Sequence, residues 1–295
     1  MKIFERKKEP EESETVKIIN FGSKNKCYSQ IQWLQNIPEN QHQLINQLYL
    51  FLNQNYIGGL EEELGKDLLQ VFNLRVLHIR LGNTQMKDKG LTILASYIAN
   101  LTKLKSLSVS IWGNQIGQIG ISKFAEQIAK LVSLNQIEIF LGNNQLQDEG
   151  LIKLSEKIVL LENLTILQLS LWDNQINDQG LINLSLNLQN MKQLQRLYLD
   201  ISSNSITVIG IQKLGQTIQS LKNLYFLELI AYENKLTLDG NQQILMLLRN
   251  ASSLKFLSLN LDNRFEINSV NTKLYSSLKK ALRLIYLKIE EINNF

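Results

Sequence analysis

The sequence predicts an α/β solenoid, with parallel strands stacked into an inner sheet and α-helices along the outside. Three observations carry that expectation. A ten-residue pattern recurs every thirty residues: LGNTQMKDKG at 81–90, IWGNQIGQIG at 111–120, LGNNQLQDEG at 141–150, LWDNQINDQG at 171–180, ISSNSITVIG at 201–210 and AYENKLTLDG at 231–240. Self-similarity at a fixed period of this length marks a chain built by stacking one unit on the next. Before each pattern, apolar residues alternate at the period of a strand. After it they fall three and four apart, the period of a helix.

Residues 1–15 mix Lys, Arg and Glu with almost no apolar residue and read as a disordered charged tail. Residues 16–43 read as a degenerate first unit capping the apolar end of the stack. Within it Val16 to Phe21 is a strand, and Ser29 to Ile37, with Ile31, Trp33 and Leu34, is a helix. That helix stops before Pro38, because a proline ring disfavours helical geometry in the residue preceding it.

The regular units span 44–270. The first opens near Leu44, where Leu48, Leu50 and Leu52 alternate with Tyr49 and Phe51, followed by a helical run of Leu60, Leu64, Leu68 and Val71. From there the register is constant. Strand cores fall at Leu77-Ile79-Leu81, Leu107-Val109-Ile111, Ile137-Ile139-Leu141, Leu167-Leu169-Leu171, Leu197-Leu199-Ile201, Leu227-Leu229-Ala231 and Leu257-Leu259-Leu261. The helical halves carry one apolar stripe each, as in Ile121, Phe124, Ile128 and Leu131 or Leu151, Leu154, Ile158 and Leu161. Neither face is stable alone, and stacking buries both in one continuous core.

Two columns punctuate the units. One is Asn55, Asn114, Asn144, Asn174, Asn204 and Asn234, with Thr84 as its exception. An asparagine side chain both donates and accepts, so it can satisfy backbone groups buried by a tight turn. The other is Gly90, Gly120, Gly150, Gly180, Gly210 and Gly240, where the turn into the helix calls for an unusual backbone angle or a close approach. Both columns end at Arg264 and Val270. The segment 271–295 then reads as a C-terminal cap, with a last strand at Leu287-Ile289 and charge on it from Lys288 and Glu290.

The pattern LxLxLxxNxL, followed by a glycine and an amphipathic helix, resembles the leucine-rich repeat, specifically its ribonuclease-inhibitor-like subfamily with true helices. VSIWGNQI and LSLWDNQI carry it almost verbatim, and the resemblance covers roughly residues 44 to 290. It implies a horseshoe and specifies the fold far more than the function. An extra apolar-x pair before the usual motif, such as Leu107-Ser108 or Leu167-Gln168, implies longer strands and a taller inner sheet.

Composition bounds the chemistry. No apolar run approaches the roughly 18 residues needed to span a bilayer, and the first residues carry charge where a secretory signal would be apolar. The single cysteine, Cys27, excludes an intramolecular disulfide and suits a reducing compartment. A cytoplasmic protein is expected. The net charge of +4 neither demands nor excludes an acidic partner. Neither histidine, His42 or His78, stands at motif spacing from Cys27, and no phosphate-cradling glycine loop or metal-ligand spacing occurs. No catalytic residue, cofactor or metal is expected. Glu61-Glu62-Glu63 reads as a solvated helix start, where acids suit the helix dipole. Lysines 123, 130, 153 and 157 read as a solvated outer face rather than a nucleic-acid patch.

The informative surface is the inner face, because strand side chains between the apolar ones point away from the core. Its expected partner-binding residues are Trp112, Phe140, Trp172, Asp173, Tyr198, Asp200, Glu228 and Tyr232. Exposed aromatics on a sheet are common binding anchors, and acids beside them, with Glu138 and Glu233, suit a basic segment. The competing reading is that each tryptophan lies flat over Gly82 or Gly142 and covers backbone. The expected function is therefore a non-enzymatic scaffold for a protein partner, such as a basic or helical segment, on the concave sheet within a larger intracellular assembly, with neither membrane nor nucleic acid as partner. Two alternatives stay open. One is a GTPase-activating regulator of a small GTPase, since such proteins share the repeat subfamily, although their acidic C-terminal tail is missing from KIEEINNF. The other is a structural component of cytoskeleton or cilium.

Overall fold

A computed structural model describes residues 15–20, 34, 37–55, 57–261 and 286–291. The elements alternate along the chain. They are β1 (Thr15–Asn20), α1 (Glu39–His42), β2 (Ile45–Phe51), α2 (Glu61–Gln70), β3 (Val76–Arg80), α3 (Lys87–Ile98), β4 (Ser106–Ser110), α4 (Gln118–Ile128), β5 (Gln136–Phe140) and α5 (Gln147–Ile158). There follow β6 (Ile166–Ser170), α6 (Asp178–Leu188), β7 (Arg196–Asp200), α7 (Val208–Ser220), β8 (Phe226–Ile230), α8 (Leu238–Leu248), β9 (Phe256–Leu261) and β10 (Tyr286–Glu291). Among the described residues the strands form one parallel sheet in the order of the sequence, β1 to β10. Cys27, Trp33, Arg264, Val270, the charged tail before Thr15 and most of the helix expected over 29–37 lie outside the described residues.

The period-two rows align strand by strand. Leu77, Leu107, Ile137, Leu167, Leu197, Leu227 and Leu257 are register partners in one continuous row, and every one of them is fully buried. The helical stripes close over that row from the other side: Leu91, Leu94 and Ile98 in α3 and Ile121, Phe124 and Ile128 in α4 join the same core. Each fully buried Leu or Ile side chain removes enough apolar surface to stabilise the fold by about 1.5–3 kcal/mol. The extra apolar-x pair, Leu107-Ser108 or Leu167-Gln168, lies inside the strands. Strands β3 to β8 are five residues each, an ordinary strand length.

The asparagine column is a hydrogen-bonded ladder between units. The Oδ1 of Asn144 accepts from the backbone N–H groups of Asn114 (3.0 Å) and Ile116 (2.9 Å) in the preceding unit, while its Nδ2 donates to the carbonyls of Ile111 (3.1 Å) and Leu141 (2.8 Å). Asn174, Asn204 and Asn234 repeat the arrangement. Thr84 keeps half of it. Its hydroxyl donates to Leu81 O (2.9 Å), but it is too short to reach back, and Ile57 N–H instead meets the backbone carbonyl of Thr84 at 3.3 Å.

The glycine column works by close approach. Gly90, Gly120, Gly150, Gly180 and Gly210 sit inside the first turn of their helices rather than at the turn before them. A Cβ at Gly120 would lie 2.4 Å from Asp88 Oδ1, and at Gly180 or Gly210 it would lie 2.6 Å from the Oδ1 of Asp148 or Asp178. Those aspartates explain the space. Asp88 accepts from Gly117 N–H (2.7 Å), Asp148 from Asn177 N–H (2.7 Å) and Asp178 from Thr207 N–H (2.8 Å). Each therefore caps the helix of the next unit, and the helices so capped begin from an extended residue. Helices α3 and α5 receive no such acid, since Gln118 stands where α5 would need one. They are entered through left-handed Lys87 (φ 55°) and Gln147 (φ 54°).

The acidic run at the start of α2 divides. Glu62 and Glu63 are exposed, and Glu62 pairs with Lys66 at 2.8 Å. Glu61 is instead 3% exposed, so it is not the solvated residue the sequence suggested. It occupies the space left by Gly90. Its Oε2 accepts from Gly59 N–H at 3.0 Å, and its Oε1 is buried without a hydrogen bond.

Candidate partner-binding face

The open face of the sheet is made by the side chains between the buried rows. Registered across the strands, its central column runs Tyr49, His78, Ser108, Glu138, Gln168, Tyr198, Glu228 and Ser258. The next runs Phe51, Arg80, Ser110, Phe140, Ser170, Asp200, Ile230 and Asn260. Phe140, Tyr198 and Glu228 are half-buried within β5, β7 and β8.

Trp112 and Trp172 follow β4 and β6, and each indole lies over a glycine that follows the strand before. A Cβ at Gly82 would lie 2.0 Å from Trp112 Nε1, and one at Gly142 would lie 1.9 Å from Trp172 Nε1. Ser202, next in the same row, is fully buried beside half-buried Tyr232. Small and large residues thus alternate along this rim, and the indoles cover backbone as well as facing solvent. Asp173 is an exposed turn residue with φ 53°. Asp200 is held locally: its Oδ1 accepts from Ser202 N–H (3.1 Å) and Oγ (2.6 Å), and its Oδ2 from Ser170 Oγ (3.1 Å).

Two aromatic clusters form, and of their members the expected residue set contains Tyr198 alone. The first joins Tyr198 to Phe226 and Phe256, with ring centroids 4.7 Å and 6.0 Å apart. The Arg196 guanidinium lies 4.7 Å from the Phe226 ring centre and donates to Tyr198 Oη at 3.2 Å. Burial pushes the Tyr198 phenol above its ordinary range. The second, at the other end, stacks Tyr49 on His78 at 5.7 Å and sets Arg80 5.0 Å from the Phe51 ring centre. Arg80 Nε donates to His78 Nε2 at 3.0 Å, which requires an unprotonated nitrogen there. Burial, with Arg80 beside it, holds the His78 imidazole below its ordinary pKa.

A family model described as "Leucine Rich repeat" matches residues 141–155 and 162–185, the two units whose asparagines and strand rows are described above. These units are leucine-rich repeats. Solved structures similar to this chain include an internalin C2 from Listeria monocytogenes str. 4b F2365, 22% identical, covering 81% of this chain and 78% of that one with a TM-score of 0.45. The leiomodin-1 actin-binding site 2 is 18% identical and covers 46% of this chain and 72% of that one, with a TM-score of 0.37. A tropomodulin C-terminal domain from Caenorhabditis elegans is 18% identical, covering 46% of this chain and 75% of that one with a TM-score of 0.34. No curated protein shows significant sequence similarity to the chain.

The alternation that defines the leucine-rich repeat strands could have found Arg196, Phe226 and Phe256. They stand two residues before Tyr198, Glu228 and Ser258, one more step back along the same face. Among the described residues no group of three or more His, Cys, Asp or Glu could hold a metal ion, and no helix is long and apolar enough to cross a membrane. On the outer helices of the repeats, Lys123 pairs with Glu126 (2.9 Å) and Lys153 with Glu156 (3.3 Å) and Glu149 (3.5 Å). These are solvated helix pairs.

Proposed function

We propose that the chain is a non-enzymatic binding protein that holds a protein partner against the open face of its sheet, within an intracellular assembly. The observation that carries this reading is the half-buried aromatic surface on that face, centred on Tyr198, Phe226 and Phe256 and extended by Phe140, Trp112, Trp172 and Tyr232. Rings held in place by their neighbours offer contact area at little entropic cost, which is why such residues serve as binding anchors. Glu138 and Glu228 border the cluster and favour a partner with basic residues there. Asp200 contributes its charge through fixed hydroxyl contacts rather than as a mobile ligand.

The test is capture of the partner from native lysate by the full chain and by three variants: Tyr198→Ala, Phe226→Ala and Gly142→Ala. The first two are expected to abolish capture while circular dichroism and melting stay close to the parent. Gly142→Ala displaces the Trp172 indole and reports whether that ring is an anchor or only a cover. Retention of the same partner by both ring deletions at parent affinity overturns the reading. So does a partner whose GTP hydrolysis the chain accelerates, because that makes the chain a regulator of an enzyme rather than a holder.

A further inference from the structure

The open face changes sign along its length. At the β1–β3 end, Val16 and Ile18 on the edge strand are 45% and 67% exposed, in register with Gln47 and Tyr49. They adjoin Tyr49, Phe51, His78 and the exposed Arg80. The open-face positions of β2 and β3 are Gln47, Tyr49, Phe51, Val76, His78 and Arg80, none of them an acid. Strand β4 is a neutral strip of Ser106, Ser108 and Ser110. From β5 to β8 the charge reverses, with Glu138, Asp200 and Glu228 in the strands and Asp173 and Glu233 in the turns. The one base among the open-face positions of β5–β8, Arg196, already lies over Phe226 and Tyr198.

Ser108 marks the boundary. It is 4% exposed although it stands on the solvent side of the sheet, and its hydroxyl is buried without a hydrogen-bond partner. A buried hydroxyl left unmatched is uncommon and calls for an explanation. In its row it lies between His78 and Glu138.

Resting on the binding reading above, we infer that the partner crosses the strands in one direction only. An apolar stretch carrying an acidic residue lies over β1–β3, next to Val16, Ile18, Tyr49 and Arg80, and basic residues lie over Glu138 and Glu228. The reversed placement would set the partner's acid against Glu138 and Glu228 and its bases against Arg80, and like charges brought together across an interface are a strong barrier to docking. Spacing follows from the sheet. Arg80 is two strands from Glu138 and five from Glu228, or about 10 Å and about 24 Å at ~4.8 Å per strand. A helical partner covers the longer span in about 16 residues at ~1.5 Å each, and an extended one in about seven at ~3.3 Å each.

The experiment uses the full chain and four labelled synthetic peptides of about 20 residues sharing one apolar centre, the length being set by the helical span. One carries an acidic run at one end and a basic run at the other; the rest carry the basic run alone, the acidic run alone, or no charge. Binding is read by anisotropy at low and physiological salt, and a photo-crosslinker at either end reports direction. The peptide with both runs is expected to bind about tenfold tighter than either singly charged one, as two matched poles rather than one would give. Its acidic end should attach to residues of β1–β3 and its basic end to residues of β7–β9. Arg80→Glu should reduce it to the level of the basic peptide, and Glu138→Lys with Glu228→Lys to that of the acidic peptide. Equal binding of the doubly charged and basic peptides, unchanged by Arg80→Glu, overturns the directional inference and leaves open-face binding standing. Charge-independent binding of all four peptides also overturns it. Failure of Tyr198→Ala and Phe226→Ala to release the captured partner is the separate result that removes the underlying reading.

Discussion

At the scale of single residues, the fold depends on a few side chains that reach into the neighbouring unit. Thr84 is where one of them falls short, leaving Ile57 N–H with a long contact to a backbone carbonyl. Thr84→Asn is expected to complete the ladder and stabilise the chain by about 1 kcal/mol, the net worth of one buried hydrogen bond. Urea denaturation measures it, and a lower midpoint would show that the site has no room for the longer side chain. Glu61 makes the opposite kind of contribution. Burial holds its carboxyl above the usual value of 4.5, so the native state keeps a proton that the unfolded chain releases. The stability from this group is fully present below pH 4.5 and is lost as the pH rises through the folded-state value. Glu61→Gln keeps an acceptor for Gly59 N–H and should flatten the fall in stability as the pH rises above 4.5. An unaltered slope would assign that pH dependence to another group. The column of asparagines was legible from the chain because its members recur at one spacing, whereas Glu61 was not. Its burial is decided by the missing side chain of Gly90, which the local acidic run does not reveal.

At the scale of elements, the helices come in two kinds set by the unit before them. Among α3 to α7, where an aspartate stands in the first turn of the preceding helix, the next helix starts from an extended residue capped by that acid; where none stands, at α3 and α5, the chain enters through a left-handed residue. Asp148→Ala should therefore destabilise α6, not its own helix α5, by about 1 kcal/mol, as the loss of a capping acid does. Hydrogen exchange should quicken at Asn177 to Gly180, and faster exchange confined to α5 would contradict this. The rim follows a related alternation, with Gly82 under Trp112 and Gly142 under Trp172. Deleting residues 112–171 joins Gly82 to Trp172 and preserves the pairing, while deleting 112–141 sets Gly82 beside Gly142. The longer deletion is expected to melt at the higher temperature despite removing two units instead of one. Strand and helix identity were readable because their periods differ sharply. The anchoring face was only partly readable: the aromatic columns followed from alternation, but the position of each indole depends on whether the preceding unit offers a glycine, and the role of Asp200 on two serines from different units.

At the scale of the whole molecule, two sets of polar links join the units, and they run in opposite senses along the chain. The asparagine of each unit accepts from amides of the unit before it, as Asn144 does from Asn114 and Ile116, and the aspartate of each capped pair completes the helix that follows. The turn amides of a unit are thus matched only by its successor, and the start of a capped helix only by its predecessor. During synthesis, the last repeat to leave the ribosome has bare amides until thirty more residues emerge, and the nascent chain then seals one step at a time from its first repeat onward. Domains grown this way need no distant segment to arrive before they begin to fold. A pull on the C-terminal end would reverse the sequence, undoing the newest seal first and exposing one set of amides per step.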